Sequence, residues 1–189
     1  MDVMAIHTMH NYKVIIRRGN KTVNNPFNRS KLGTKRQILM DKKGIPLSAV
    51  ITSAKTHDLK AVTNVIENSA IKQPFVSSKP KEGISRRRWK YNHLCLDRAY
   101  SSKTIRQQII KRGYVPHIPY KRKRGQHSKM ACQMNYKTAK NKRWVVERTN
   151  SWHNRFRKLF TRYEKKVENY LGLVQLSCSI IIYRKIILG

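Results

Sequence analysis

Acidic residues are scarce in this chain of 189 residues, which has 9 Asp and Glu against 42 Lys and Arg and carries a formal charge of +33. Such a cationic excess requires a polyanionic partner. Nucleic acid is the usual one, because each Lys or Arg placed on a phosphate releases a condensed counterion. An anionic membrane surface or a ribosome would satisfy the same charge. The charge therefore predicts a polyanion-binding protein and leaves the kind of polyanion open.

The chain is also poor in cysteine, glycine and proline, with 3, 8 and 6 residues respectively. Cys95, Cys132 and Cys178 form no Cys-x-x-Cys pair, so they support neither a zinc ribbon nor a disulfide framework and indicate reduced thiols. A hydrophobic content of 39% argues against a disordered basic tail. No signal peptide is visible, and the most apolar stretch, 171–183, is too short to span a bilayer. We therefore expect a folded cytoplasmic protein without a membrane partner.

The first half of the chain has the pattern of a hairpin followed by a helix. Two short apolar runs at 35–40 and 47–52 flank a Lys-Lys-Gly turn, which is typical of a β-hairpin. Apolar residues at three- and four-residue spacing over 59–66 then predict an amphipathic helix, with Thr56 or Asp58 as its cap.

The second half continues the alternation of strands and helices. A short strand is predicted over 93–97, followed by a helix that stops at Gly113 and a further strand over 114–118. Two helices over 144–164 and 169–188 are expected to pack as a pair. This order of elements predicts an α/β layered fold.

We expect a single domain over 1–189, since single domains usually have about 100 to 200 residues. Within it, 1–32 has the character of an incomplete first-strand region with a basic loop. Residues 120–143 form a basic loop that is expected to face phosphates, and 144–188 form the C-terminal helices.

Two of the acids stand where phosphoryl-transfer chemistry would need them. Asp97 closes the apolar run His-Leu-Cys-Leu, and strand ends in α/β sheets face the crevice where ligands bind. A turn or helix cap explains Asp97 equally well from the local pattern. Glu147 follows Arg143 by one helical turn, and an ion pair on a solvated helix is the better explanation of that spacing taken alone. If the two carboxylates converge, they can hold hard cations such as Mg²⁺.

Four segments in a fixed order carry a resemblance to a known family. They are GTKRQILMDKKGIPLSAVITSAKTHD from Gly33, HLCLDRAY from His93, GYVPHIPYKRKRG from Gly113 and RWVVERTNSWHNRFRKLFTRYEK from Arg143. Together they resemble the transposases of the insertion-sequence five group, the DDE enzymes of bacterial and archaeal insertion sequences. The resemblance implies a ribonuclease-H-like mixed sheet flanked by helices, with a C-terminal helical pair. It also implies metal-dependent cleavage and strand transfer of double-stranded DNA at transposon ends and target.

The resemblance also implies catalytic residues and a cofactor, Mg²⁺ or Mn²⁺. Asp97 in Leu-Asp-Arg-Ala-Tyr matches the second Asp of the family's Asp, Asp, Glu triad, and Glu147 in Trp-Val-Val-Glu-Arg matches the Glu. The related Tyr-x2-Arg-x3-Glu-x6-Lys signature is partial. Lys140 stands in the place of its Tyr and Asn154 in the place of its Lys, with Arg155 beside it as a substitute.

The first Asp of the triad has one candidate upstream of Gly33, namely Asp2. Only Met1 precedes Asp2, and the family's N-terminal helical DNA-binding region has no counterpart here. We therefore expect a truncated element that folds but does not transpose DNA by itself. Asp41 is the alternative first ligand, but its place in the hairpin favours a turn residue.

Basic residues around the Glu147 motif and in the loop before it are the expected phosphate contacts. They are Arg143, Arg148, Arg155, Arg157, Lys158, Lys121, Arg122, Lys123 and Arg124. Arg162 is given the same role. The aromatic residues interleaved with these arginines have helical spacing and are expected to pack in the core. The histidines show no ligand spacing and are given no role.

Three functions remain open from the sequence. They are an active or formerly active transposase, a non-catalytic basic nucleic-acid-binding protein with the same fold, and a ribosome- or RNA-associated protein. The transposase would act on the nucleoid in the cytoplasm, would use no small-molecule substrate and is compatible with a homodimer.

Overall fold

The computed structural model describes residues 3–11, 21, 23–24, 32–71, 92–119 and 143–188. The strands in these ranges are β1 (Val3–Asn11), β2 (Val23–Asn24), β3 (Leu32–Met40), β4 (Pro46–Ser53), β5 (Asn92–Cys95) and β6 (Tyr114–His117). The α-helices are α1 (Val62–Glu67), α2 (Lys103–Lys111), α3 (Arg143–Asn154), α4 (Arg157–Phe160) and α5 (Val167–Ile186). Single 3₁₀ turns cover Asp58–Ala61 and Arg98–Tyr100.

Strand β1 lies at the centre of a mixed sheet. It pairs antiparallel with β3 on one side and parallel with β5 on the other, and β6 continues the sheet parallel to β5. The hairpin partner β4 and the short strand β2 both pair antiparallel with β3. The described part of the chain is therefore a mixed α/β fold, as the order of elements predicts.

One face of the sheet is covered by α1 and α2. Leu39 from β3 and Leu94 from β5 are fully buried there against Val62 and Val65 of α1 and Ile109 of α2. Burying each such side chain contributes about 1.5–3 kcal/mol. Because this cluster has more buried residues than the others, it is the main apolar core of the described residues.

The opposite face is covered by α3 and α5. Ile38, Met40 and Cys95 pack with Val145 of α3, and Ile51 packs with Tyr170 of α5. Because alternate residues of β3 point to opposite faces and both faces are covered, residues 33–40 are all buried.

The hairpin and both of its strands are where the sequence predicts them, but the cap of the following helix is not. His57 Nδ1 accepts from the backbone N–H of Leu59 at 3.3 Å, so His57 is the N-cap of the 3₁₀ turn. Asp58 instead forms an ion pair with the largely buried Lys35, with 2.9 Å between Nζ and Oδ1. The capping residue is therefore His57, which lies between the two predicted positions Thr56 and Asp58, and the carboxylate of Asp58 neutralises Lys35 instead.

The predicted helix over 144–164 is interrupted. Helix α3 ends at Asn154, and Phe156 is extended (φ −82°, ψ 102°) before α4 begins at Arg157. Neither Pro nor Gly occurs at the break, so no local signal predicts it. Tertiary contacts make the bend, since the buried Tyr170 hydroxyl of α5 donates to the carbonyl of Leu159 at 3.1 Å.

No helix in the described ranges is long and apolar enough to cross a bilayer.

Candidate active site

Asp97 lies just beyond the end of β5 and is exposed. Leu96 before it is buried and donates its N–H to the carbonyl of His117 at 3.1 Å, and Tyr100 after it is buried as well. The Asp97 carboxylate accepts from the backbone N–H of Arg98 at 2.6 Å and caps the 3₁₀ turn. Asp97 therefore caps a turn and also presents a carboxylate at a strand end held by buried neighbours on both sides.

Glu147 lies on α3, whose buried residues recur every fourth position. Val145, Thr149 and His153 are 2%, 0% and 0% exposed. Because residues two apart on a helix differ by about 200° around its axis, Glu147 is on the exposed side of α3. Val145 packs in one cluster with Cys95, two residues before Asp97. The fold thus brings together the segments that carry Asp97 and Glu147.

The hairpin turn before β4 fixes α3 to the sheet. Asp41 Oδ1 accepts from the N–H groups of Lys43 and Ile45, each at 2.8 Å, which confirms that Asp41 is a turn residue. Gly44 has φ +82° and leaves no room for a side chain, since a Cβ there would lie 2.7 Å from Thr149 Oγ1. The Thr149 hydroxyl lies 2.8 Å from the carbonyl oxygen of Gly44 and 3.1 Å from that of Val145.

Arg148 ties the same helix to the same turn. Its guanidinium stacks on the rings of Trp144 and Trp152, at 4.4 and 5.0 Å from their centroids, and donates to the carbonyl of Lys43. The described contacts of Arg148 therefore position α3, whereas the sequence predicts a phosphate contact for this residue.

The other predicted phosphate contacts fall into three groups. Arg155, Arg157 and Lys158 are exposed around the junction of α3 and α4. Arg143 begins α3. Lys121, Arg122, Lys123 and Arg124 lie outside the described residues, as does Asp2, the predicted first metal ligand.

Arg162 is not a phosphate contact, contrary to the prediction. It is 0% exposed and donates through Nη1 to Thr34 Oγ1 at 2.8 Å and through Nε to the Glu164 carbonyl at 2.9 Å. Its guanidinium also lies 5.1 Å from the centroid of the Tyr170 ring. Arg162 fixes the bend between α4 and α5 from inside the protein, where DNA cannot reach it.

The aromatic residues of this region are not all core residues. Phe156 is half-buried and packs beside Leu159, as predicted. Phe160 and Tyr163 are 45% and 54% exposed, so the prediction is wrong for these two. The prediction assumes one continuous helix. Because the chain bends after α3, Phe160 and Tyr163 no longer share the inward-facing side of that helix.

A buried polar cluster lies between β3, α3 and α5, where the sequence predicts none. His153 Nδ1 is 3.0 Å from Ser177 Oγ, and its Nε2 is 3.8 Å from Cys178 Sγ. Burial, and secondarily the charge of Arg36, lower the pKa of His153 to about 4. Burial raises the pKa of Cys178 to about 12, although Arg36 opposes that shift. His153 is therefore a neutral hydrogen-bonding residue of the interior.

Two histidines of neighbouring parallel strands form a second cluster that the sequence analysis missed. The rings of His93 and His117 are stacked with centroids 4.8 Å apart, and His93 Nδ1 lies 2.5 Å from His117 Nε2. Burial, and then the neighbouring His93, lower the pKa of His117. The two histidines lie close together because of the register of the parallel strands β5 and β6, in which His93 pairs with Val115 and Cys95 pairs with His117. The sequence alone does not reveal this register.

Strand β1 supplies no acidic residue beside Asp97, since its sequence is VMAIHTMHN. Val3 is level with His93 and Ala5 with Cys95. If this register is continued by two residues, His7 is the β1 position level with Asp97. Among the described residues, no three His, Cys, Asp or Glu side chains converge as a metal cluster would require. Asp97 and Glu147 nevertheless have the oxygen donors that Mg²⁺ and Mn²⁺ prefer.

Comparison with known proteins places this arrangement in a family. A family model described as the transposase DDE domain matches residues 18–182. A proposed transposase for insertion sequence element IS402 from Burkholderia cepacia is 31% identical over 161 residues, which is 85% of this chain and 68% of that protein.

Proposed function

Because the chain belongs to the transposase DDE domain family, we propose that it is the catalytic domain of a DNA transposase, which cleaves DNA at insertion-sequence ends and transfers the cut strands. The substrate is double-stranded DNA, and the implied cofactor is Mg²⁺ or Mn²⁺. The sheet order β4-β3-β1-β5-β6 supports a ribonuclease-H-like arrangement, with an antiparallel half and a parallel half that meet at β1.

The observation that carries the proposal is the packing of Val145 with Cys95. This contact joins the end of β5 to the first turn of α3. Asp97 follows Cys95 by two residues, and Glu147 follows Val145 by two but lies about 200° from it around the helix axis. Neither carboxylate is needed for the core, because both are exposed. In a chain with 9 acids and a formal charge of +33, one exposed carboxylate on each of two segments that the fold joins suits cation binding.

Asp97 and Glu147 would supply oxygen ligands to the divalent ions. Such ions, when bound, activate an attacking water or DNA 3′-hydroxyl and stabilise the charge that develops on the phosphate. The chain's own contribution is to hold the two carboxylates still. Leu96 and Tyr100 fix the backbone around Asp97, and the turn at Gly44 fixes α3 through Thr149.

The third ligand is proposed from the sequence to be Asp2. The register of β1 offers a second position, His7, level with Asp97. Asp2→Asn should weaken Mn²⁺ binding if Asp2 completes the site, whereas His7→Ala should weaken it if position 7 does.

Phosphates would be bound by exposed cations near the site. Arg155, Arg157 and Lys158 are exposed where α3 meets α4, and the basic run from Lys121 to Arg124 precedes the Glu147 helix in sequence. Each such contact neutralises one phosphate and adds affinity without sequence specificity.

Asp97→Asn tests the proposal. The variant should lose metal-dependent cleavage of a labelled transposon end by at least about a hundredfold, because an amide is a weaker ligand than a carboxylate, while its affinity for DNA changes little. Glu67→Gln is the matched control, since Glu67 is an exposed carboxylate that pairs with Arg112 and lies away from α3. Equal cleavage by Asp97→Asn and the unchanged chain would refute the role of Asp97. DNA binding without cleavage by the unchanged chain would favour the non-catalytic alternative.

A further inference from the structure

Two aromatic side chains are exposed on the segment where the chain bends between α4 and α5. Phe160, the last residue of α4, is 45% exposed, and Tyr163 is 54% exposed. Neither is a member of the apolar clusters that the described residues form. Three residues of chain span at most about 11 Å, so both aromatic residues belong to one small patch.

The backbone of the bend turns Tyr163 outward. Thr161 is extended (φ −120°, ψ 121°), and Arg162 after it points into the protein with 0% exposure. Side chains alternate between the two sides of an extended segment, so Tyr163 points away from the interior. Arg162 also holds this backbone, because its Nε and Nη2 donate to the carbonyls of Glu164 and Lys165 at 2.9 and 3.1 Å. The interior therefore fixes the segment that presents the Tyr163 ring.

Most charged side chains around the two rings are cations. The exposed ones between residues 155 and 168 are Arg155, Arg157, Lys158, Lys165 and Lys166. The acids of the same segment are the exposed Glu168 and the half-buried Glu164. We call these exposed cations and the rings of Phe160 and Tyr163 the bend surface. Its charge remains positive when both acids are included.

Cations and exposed aromatic rings recognise different parts of a nucleic acid. Lys and Arg bind the phosphates of any strand, single or double. An aromatic ring stacks on the flat face of a base, and that face is accessible only where bases are unstacked. In a duplex both faces of each base are already covered by the neighbouring base pairs. The combination found on the bend surface therefore suits a single strand better than a duplex.

The bend surface lies at one end of the helix that carries Glu147. Ser151 and Asn154 follow Glu147 by four and seven residues, and all three are exposed, so one exposed side of α3 leads from Glu147 to the bend. Arg155 is eight residues after Glu147, which corresponds to about 12 Å along a helix axis. At the spacing of about 3.4 Å per nucleotide of one strand, roughly four nucleotides cover this distance.

We propose that the bend surface binds single-stranded DNA, with Phe160 and Tyr163 stacked on bases and the surrounding cations on phosphates. The site is separate from the candidate metal ligands, and its binding requires no divalent ion. A strand that is unpaired when a transposon end is opened for cleavage beside Glu147 is the DNA that it would hold. The source of that strand rests on the proposed function, whereas the binding itself does not.

The test compares two affinities of the 189-residue chain by fluorescence anisotropy, one for labelled oligo(dT) and one for a labelled duplex of equal length and mixed sequence. Both are measured in EDTA at about 200 mM salt, which weakens the phosphate contacts. Phe160→Leu and Tyr163→Leu should each weaken oligo(dT) binding by at least about fivefold, because leucine is apolar but cannot stack on a base. Duplex binding should change by less than about twofold, since duplex bases are not available for stacking.

Two kinds of control separate stacking from a general effect of the substitutions. Phe160→Tyr and Tyr163→Phe keep an aromatic ring and should bind oligo(dT) as the unchanged chain does. Tyr183→Leu removes a ring that is also 54% exposed, but at the far end of α5, and should leave oligo(dT) binding unchanged. Circular dichroism of each variant verifies the fold. Because EDTA removes divalent ions, a chain that fails to cleave DNA can still confirm the single-strand site.

Leucine variants that bind oligo(dT) as tightly as the unchanged chain would overturn the proposal. So would equal losses for oligo(dT) and duplex, since the rings would then not contact bases, or an equal loss from Tyr183→Leu. An affinity for oligo(rU) at least about tenfold above that for oligo(dT) would assign the bend surface to RNA and contradict the proposed partner.

Discussion

His153 shows how burial decides what a single side chain does. Its ring is 0% exposed and contacts Ser177, Cys178 and the charge of Arg36, all within the interior. A protonated imidazole in this place would add a second cation beside Arg36 in the buried interior. The folded state therefore excludes the proton that the unfolded chain accepts.

This exclusion predicts that the protein loses stability as the pH falls. The pKa of His153 is about 4 when folded, below the value of about 6.5 for an unfolded histidine. The stability is therefore complete above about pH 6.5 and falls by up to roughly 3 kcal/mol between about pH 6.5 and 4. Urea unfolding at a series of pH values measures this slope. His153→Gln should flatten it, and His57→Asn, at an exposed histidine, should not; equal slopes for both variants would contradict the assignment.

The sequence predicts some residue roles well and others not at all. Asp97 and Asp41 are found from their places after a strand and within a hairpin, because those places depend on local pattern. Arg157 and Arg162 look alike in the sequence, yet one is exposed and the other is fully buried. Only the bend between α4 and α5 separates them, and that bend depends on contacts with residues far along the chain.

At the scale of elements, the contact between the β3–β4 turn and α3 positions the candidate site. Gly44 permits this contact in two ways. Its φ of +82° is a left-handed value that other residues adopt at a cost, and its missing side chain leaves space for Thr149.

Gly44→Ala should therefore destabilise the protein by about 2 kcal/mol or more, from backbone strain together with the clash against Thr149. Gly172→Ala is the matched control, because the same change in the open part of a helix should stabilise by up to about 1 kcal/mol. Chemical unfolding of both variants gives the two free energies. A loss of less than about 0.5 kcal/mol for Gly44→Ala would show that the turn does not hold α3.

Elements with a strong local signal are predicted, and the others depend on the fold. The hairpin of β3 and β4 has alternating apolar residues around a turn, and α1 has clear helical spacing. The central strand β1, VMAIHTMHN, has only a weak alternation and no flanking turn signal that identifies it. It is a strand because β3 and β5 pair with it on both sides, which no window of sequence reveals.

At the scale of the whole molecule, the positive charge governs how the chain binds DNA. DNA binding should be strong, poorly sequence-specific and steeply dependent on salt. If 6–10 phosphates are contacted, raising salt from about 50 to 200 mM lowers affinity by roughly 10³–10⁵-fold. Titration of labelled DNA of unrelated sequence at several salt concentrations measures this slope. A response close to flat would contradict the phosphate contacts that we propose.

Composition alone predicts the class of partner at this scale but not the topology. The excess of Lys and Arg is visible in any count of the sequence. The order β4-β3-β1-β5-β6 is not, since it joins strands separated by long stretches of chain. The candidate site cannot be predicted from composition either. Asp97 and Glu147 are fifty residues apart in sequence, and only the packing of α3 on the end of β5 relates their segments.

The measurement that tests the central claim most directly is a double-mutant cycle of Mn²⁺ affinity for Asp97 and Glu147. Binding is followed by the electron paramagnetic resonance signal of free Mn²⁺ for the unchanged chain, Asp97→Asn, Glu147→Gln and the double variant. If the two carboxylates hold the same ions, each single variant should lose most of the affinity and the double variant little more than either. The losses are then far from additive, as expected for residues that share a ligand. Losses that add, or a Glu147→Gln variant that binds Mn²⁺ as the unchanged chain does, would contradict a shared metal site.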